Sequence, residues 1–295
     1  MDATPKTYKN RAQNELTEHI VYGRLAARER NPENKALLER LSAQEKSHYE
    51  FWQSLVPNEK ITPRIIGLIS VPFLRAIFGI TFVTKFLETH EKDSIAAYQS
   101  MLATIPNDHR HRLEEIIKDE QSHEQGLIGQ LKEKRIAYIG FIALGLSDAI
   151  VEITGVHSGF LGVTGKTLIA GISGIIVGFA AAISMGSAAY IQAKQDPNTS
   201  PIPSALATGF SYLASVILLA LPYFLIRDML TAFMLSTSVG VLLLAAFVFF
   251  STVIADRPFL REFGESVGLM LVTAIATYIL GTVVGSVFHV NQGNF

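Results

Sequence analysis

Cysteine is absent from this chain of 295 residues. Disulfide bonds, thiolate metal sites and cysteine nucleophiles are therefore excluded, and any bound metal must sit on oxygen and nitrogen ligands. The formal net charge of -1 leaves no large basic surplus, which argues against a nucleic acid partner. An apolar run behind the polar first residues is also missing, so we expect no cleavable signal peptide and a cytosolic amino-terminal domain.

Charged residues are scarce in the second half of the chain. The last 160 residues contain 5 of the 25 Lys and Arg residues and 7 of the 26 Asp and Glu residues. The chain as a whole is 49% hydrophobic, which is high for a purely soluble protein. This change in composition predicts a boundary near Arg135 and two domains, residues 1–135 and residues 136–295.

Five long apolar runs follow Arg135. A helix of about 20 residues crosses the roughly 30 Å of hydrocarbon in a bilayer, and each run reaches that length. We therefore predict a bundle of five transmembrane helices in a lipid bilayer. The predicted spans are Ala137–Val163, Thr167–Ala189, Ser204–Ile226, Leu230–Ala255 and Val267–Val290.

Positive charges in the short connections predict the orientation of these spans, because Lys and Arg favour the cytoplasmic side of a membrane. One side of the predicted bundle has only Lys166 and Arg227. The other side collects Lys132, Lys134, Arg135, Lys194, Arg257 and Arg261. We therefore expect the amino-terminal domain inside the cell and the carboxyl terminus outside.

The first 135 residues show the 3.6-residue periodicity of surface helices. Asn31-Pro32-Glu33 and Pro106-Asn107-Asp108 are good helix starts. Four helices are predicted, the number that encloses a buried site in a bundle. Their expected ranges are Lys9–Arg30, Pro32–Ser54, Ala76–Thr104 and Asn107–Lys134.

The stretch from Ile65 to Val83 is almost wholly apolar and does not fit this division. Pro72, Arg75 and two glycines argue against a sixth membrane span. We interpret the stretch as a crossover connection between the second and third helices of a four-helix bundle. A place on the membrane surface remains an open alternative.

Two of the predicted helices carry the motif Glu-x-x-His, as Glu45 with His48 and as Glu120 with His123. Residues three apart share one helix face, so each pair can present a carboxylate oxygen and an imidazole nitrogen to one point. One copy alone is usually solvated surface, whereas two copies on separate helices indicate a metal site.

The other two predicted helices offer glutamates to the same site. The first helix has Glu15 or, one turn later, Glu18, and the third has Glu88 and Glu91. A Glu from each of two helices and Glu-x-x-His from each of the other two is the arrangement of ferritin-like di-iron proteins. Oxygen and nitrogen ligands suit iron as the cofactor, with manganese or zinc as alternatives.

The segments ELTEHIVYGRLA and LETHE resemble the first and third helices of rubrerythrin. No rubredoxin-type cysteine site is present, so the electron path of the rubrerythrin peroxidases is missing. The resemblance implies a ferritin-like four-helix bundle with a di-iron site. Its implied ligands are Glu15, Glu45, His48, Glu88, Glu91, Glu120 and His123.

The first predicted span contains two carboxylates, Asp148 and Glu152, four residues apart and therefore on one helix face. An ionised carboxylate in hydrocarbon is costly, so such residues normally face a pathway or a partner. We predict that this pair lines a route for cations. His157 lies about 140° or more round the helix, and a place on the route or near the outer interface remains open.

Two motifs in the first two spans match one family of membrane transporters. Asp148 stands at the position of a DGL-type motif with an essential acidic residue, and Ser184-Met185 with Tyr190 stands at the position of an SM…GEY motif. Residues 136–290 thereby resemble the vacuolar iron transporter family. The resemblance adds Met185 to the implied transport path of Asp148 and Glu152.

The chain departs from that family at two points. The glutamate of the second-span motif is Ala189 here, and Glu152 is the candidate to compensate for it. The family's metal-binding insert between spans two and three is reduced to Gln192–Pro203, and we expect the rubrerythrin-like domain to replace it.

The whole chain resembles the membrane-bound ferritins of bacteria and archaea, which fuse a rubrerythrin-like domain to a vacuolar iron transporter-like membrane domain. That resemblance implies an all-α homodimer in the plasma membrane of a prokaryote, exporting Fe²⁺ (or Mn²⁺) in exchange for protons. Two other classes remain open. One is a membrane-anchored di-iron ferroxidase or peroxidase whose spans serve as anchor and dimer interface, and the other is an iron sensor or scaffold.

Overall fold

The computed structural model describes residues 4–88, 91–123, 136–197 and 199–290. In these ranges the chain forms eleven α-helices and no strand, so the all-α prediction is confirmed. Contacts divide the chain into two compact units, Met1–Glu133 and Lys134–Phe295.

Six helical segments form the described part of the amino-terminal unit. One of them has the predicted bounds because Asn31 caps it, its side chain accepting hydrogen bonds from the backbone N–H groups of Glu33 and Asn34. Residues 124–134 of the predicted fourth helix lie outside the described ranges. The segments are α1 Pro5–Ala27, α2 Pro32–Ser54, α3 Ile65–Phe78, α4 Ile80–Glu88, α5 Glu91–Met101 and α6 Asn107–Ser122.

The predicted third helix, 76–104, is interrupted in the structure. It breaks at Gly79, whose φ of 89° lies in the left-handed region that favours glycine. The apolar stretch 65–83 is therefore helix α3 followed by the start of α4. Helix α1 begins at Pro5, earlier than expected, because the Thr4 side chain caps it. The ferritin-like four-helix topology stays a prediction.

Aromatic side chains pack the core beside the predicted metal site. Trp52 of α2 is fully buried, with ring centroids 5.0 Å from Tyr98 of α5 and 5.9 Å from Tyr8 of α1. Leu113 and Ile116 of α6 belong to the same buried cluster. Burying each large apolar side chain contributes about 1.5–3 kcal/mol. This cluster therefore stabilises the packing of α1, α2, α5 and α6 against one another.

The second unit contains five helices that are long and apolar enough to cross a membrane, each of 25–29 residues with a mean hydropathy of 1.7–2.4. The prediction of five candidate spans is therefore confirmed. The last helix begins at Phe259 rather than Val267, and the Arg261–Glu265 ion pair of 3.0 Å stabilises its additional turns. The helices are α7 Ile136–Val163, α8 Thr167–Ala193, α9 Pro201–Leu225, α10 Met229–Ala255 and α11 Phe259–Val287.

Small residues allow these five helices to pack closely. The buried face of α8 consists only of glycine and alanine. A side chain at Gly281 of α11 would overlap the backbone carbonyl of Gly159 on α7. On the same helix pair, the Ser158 hydroxyl donates a hydrogen bond to the Ala274 carbonyl oxygen over 2.7 Å. These contacts hold α7 against α11.

Candidate metal centre

Four side chains from three helices meet inside the amino-terminal unit. Glu15 of α1, Glu45 and His48 of α2, and Glu120 of α6 each offer a ligand atom, and these atoms lie within 4.8 Å of one another. All four residues are between 0% and 3% exposed. Glu45 and His48 reach the same point because residues three apart share a helix face.

The Nδ1 atom of His48 lies among the carboxylates. It is 3.2 Å from Glu120, 3.3 Å from Glu45 and 3.7 Å from Glu15. None of these contacts has the geometry of a hydrogen bond, and both oxygens of Glu45 are also buried without a hydrogen-bond partner. Buried polar atoms are rarely left unsatisfied. A cation between these atoms would satisfy them, so the residues fit a metal ion.

His123 approaches the same cluster from the end of α6. Its Nδ1 atom lies 3.5 Å from Glu45 and 3.7 Å from Glu120, and its ring centroid is 6.4 Å from that of His48. The two Glu-x-x-His motifs therefore face each other, with each histidine near the glutamate of the other motif. Two carboxylates between two imidazoles form a ligand set that could hold metal ions.

The Nε2 atom of each histidine, which is the nitrogen farther from the carboxylates, contacts a residue next to the other motif. The Nε2 atom of His48 pairs with Asp119 over 3.3 Å, and the Nε2 atom of His123 pairs with Gln44 over 3.1 Å. Such contacts orient a ligating imidazole, here with its Nδ1 atom toward the carboxylates. Sequence reasoning missed both residues. The available signal was their shared position, directly before the glutamate of each motif.

Tyr98 is a further residue that the sequence did not indicate. Its hydroxyl donates a hydrogen bond of 2.5 Å to Glu15 Oε1, while the Arg11 guanidinium lies 5.0 Å from the centre of its ring. This contact fixes the Glu15 carboxylate, whose other oxygen, Oε2, faces His48.

The cluster concentrates negative charge away from water. Burial, reinforced by the Glu120 carboxylate, raises the pKa of Glu45 well above its usual range. Burial alone raises the pKa of Glu120, but the nearby imidazoles of His123 and His48 outweigh it and lower that pKa to about 2. Burial lowers the pKa of His48, yet the surrounding carboxylates, Asp119 first, raise it well above its usual range. Protons on Glu45 and His48 thus offset the negative charge of the cluster, as a bound metal ion would.

Glu18, the alternative ligand on α1, stands apart from this cluster. Glu18 is half-buried and lines a groove with Asn14 and Arg64. The structure therefore brings Glu15, not Glu18, to the cluster. The side chains of Glu88 and Glu91 lie outside what the structure describes, so their role as ligands stays a prediction.

The predicted cation route lies on α7. Asp148 and Glu152 are both partly buried, one turn apart. Glu152 accepts a hydrogen bond from the hydroxyl of Tyr212, a fully buried residue of α9 that the sequence did not single out. Met185 of α8 is partly buried against the core cluster that includes Tyr212. The structure thus places all three predicted path residues on neighbouring helices.

His157 is fully buried within the unit, and its depth in the membrane stays a prediction. Its ring centroid lies 4.1 Å from that of Tyr223 on α9. A side chain at Gly174 of α8 would collide with its Nε2 atom. The residue therefore packs between α8 and α9, away from the carboxylate pair.

Comparison with known families bears on the membrane unit. Residues 193–282 match the model of the VIT family, which supports the resemblance to vacuolar iron transporters in that part of the chain. The match suggests transport of metal ions through a membrane. It begins at the end of α8 and so does not include Asp148, Glu152 or Met185. Searches of curated proteins and of solved structures find no match.

Proposed function

We propose that this protein exports Fe²⁺ from the cytosol across the plasma membrane of a prokaryote in exchange for protons, after its amino-terminal unit has captured the ion. Mn²⁺ is the alternative cargo. The observation that carries the proposal is the buried Glu and His cluster, in a chain whose membrane unit matches the VIT family between residues 193 and 282.

The chemistry of the cluster supports capture of a first-row divalent metal. Three carboxylates and an imidazole lie within 4.8 Å of one another, with a second imidazole beside them. Such oxygen and nitrogen sets suit Fe²⁺, Mn²⁺ and Zn²⁺. Glu45 and Glu120, which lie near both histidines, would hold bound metal ions together with His48 and His123.

The carboxylates of α7 support passage through the membrane. Apart from Glu262 and Glu265 in the first two turns of α11, Asp148 and Glu152 are the acidic residues of the five candidate spans. Intramembrane carboxylates are characteristic of ion pathways. Protonation of these groups would release a bound cation, which couples metal movement to proton movement. We include a homodimer in the proposal because the resemblance to membrane-bound ferritins implies one.

Metal flux in proteoliposomes tests the proposal directly. Intact protein should move Fe²⁺ into or out of vesicles, Asp148→Asn should abolish the flux, and Glu45→Ala with Glu120→Ala should slow it. Glu265→Gln is the matched control, because it removes a carboxylate that is exposed at the start of α11. Absence of flux with intact protein would overturn transport, and full flux with Asp148→Asn would overturn the route.

A second candidate is a membrane-anchored di-iron ferroxidase or peroxidase. It is favoured by the burial of the cluster, because a site that is 0% to 3% exposed protects a reactive centre better than it releases an ion. Fe²⁺ oxidation that depends on peroxide, without any flux by intact protein, would establish this candidate instead.

A further inference from the structure

Helix α3 differs from every other helix of the amino-terminal unit in composition. Its sequence, IIGLISVPFLRAIF, contains a single charged residue, Arg75. A helix that is apolar all round needs an apolar environment on all sides. In water, a helix of a soluble unit would instead carry a polar face.

One face of α3 finds that environment within the unit. Val71 is 4% exposed. Arg75 ties the helix to α1 through hydrogen bonds to the Arg28 carbonyl oxygen, 3.2 Å, and to the Glu29 carboxylate, 3.0 Å. These contacts fix the orientation of α3 against α1.

The opposite face of α3 points away from the unit. Ile65 is 70% exposed and Phe73 is 65% exposed. Among the side chains that the structure describes in residues 4–123, these two are the large hydrophobic ones that are exposed, and both belong to this helix. A spacing of eight residues sets them about 80° apart, while Val71 lies on the far side of the helix. The unit therefore presents one local apolar surface.

We propose that this face of α3, defined by Ile65 and Phe73, lies in the interfacial layer of the bilayer. The helix of 14 residues is about 21 Å long, which is too short to span roughly 30 Å of hydrocarbon. It is long enough to lie flat with its apolar side among the acyl chains. Arg64, exposed directly before the helix, is placed to meet the phosphate headgroups.

The bilayer is favoured as the occupant because the chain keeps it close. Twelve residues separate His123 from the first membrane helix at Ile136, so the chain between them extends over at most about 45 Å. A tether of this length holds the amino-terminal unit at a high effective concentration near lipid. The inference requires only a membrane-bound chain, so it holds for the transporter and for the anchored oxidase.

Spin labels on the full chain test this placement. The absence of cysteine makes single-cysteine variants straightforward, and Phe73→Cys and Ile65→Cys alter exposed positions that leave the packing intact. The labelled protein is placed in nanodiscs of phosphatidylcholine and phosphatidylglycerol. Collision with oxygen, which partitions into lipid, is compared with collision with a polar nickel chelate, which stays in water. Lys46→Cys, exposed on α2, is the matched control.

We expect an oxygen-to-nickel collision ratio several-fold higher at positions 73 and 65 than at position 46. Equal ratios at all three positions would place the face in water and overturn the inference. Low collision with both reagents, together with dipolar broadening between labels, would overturn it in favour of a second copy of the chain.

Discussion

The two acidic sites of this protein differ in the number of groups that surround each carboxylate. In the amino-terminal cluster, Glu45 has two histidines and two further glutamates nearby and is 0% exposed. On α7, Glu152 has the Tyr212 hydroxyl as its hydrogen-bond partner. A dense site favours retention of an ion, whereas a sparse one allows the ion to leave. The comparison suggests a division between capture and passage.

The largest effect is expected from removing the shared carboxylates. Glu45→Ala with Glu120→Ala should abolish binding of Mn²⁺ or anaerobic Fe²⁺ in calorimetric titrations of the full chain, because both glutamates contact both histidines. Glu18→Ala, which lies outside the cluster, should bind as the intact protein does. Retained affinity in the double variant would mean that the metal binds elsewhere.

Acidification should weaken capture strongly. The pKa of Glu45 is raised, so this carboxyl holds a proton to higher pH than usual, and a metal ion must displace that proton. Affinity should therefore fall as pH falls, by up to about tenfold per pH unit for each proton displaced. Titrations at pH 7, 6 and 5, in buffers of different protonation enthalpy, measure both quantities. An affinity independent of pH would contradict the assigned ligand.

Substitutions of the residues that contact the Nε2 atoms of His48 and His123 should weaken metal binding to different extents. Asp119→Asn should weaken metal binding about 10–100-fold, because a charged acceptor raises the basicity of His48 and orients it. Gln44→Ala should weaken it by less than about tenfold, because a neutral amide is the poorer acceptor. The same titrations distinguish the two variants. A larger effect from Gln44→Ala would reverse the proposed order.

The smallest effect is expected from removing a single hydrogen bond in the membrane unit. Tyr212→Phe removes one hydrogen bond to Glu152, worth about 1 kcal/mol, so Fe²⁺ flux in proteoliposomes should change only several-fold. Tyr223→Phe serves as the control, because that ring packs on His157 instead. An equal change in both variants would attribute the effect to helix packing and not to the carboxylate.

The sequence predicted this site in part because its motifs are local. Glu45 with His48 and Glu120 with His123 could be recognised from a spacing of three residues, which any helix turns into a common face. The choice between Glu15 and Glu18 required the tilt and rotation of α1 in the core, set by side chains such as Trp52 and Tyr8. Periodicity alone does not determine that rotation.

Length, apolar runs and helix starts by themselves determined the all-helical class, the five candidate spans and the start of α2 at Pro32, because these depend on neighbouring residues. Only the tertiary structure paired His48 with Asp119, His123 with Gln44 and Glu15 with Tyr98, across 71, 79 and 83 residues of sequence. It also broke the predicted third helix at Gly79 and buried His157. Such contacts depend on how helices pack, and packing is a property of the whole unit.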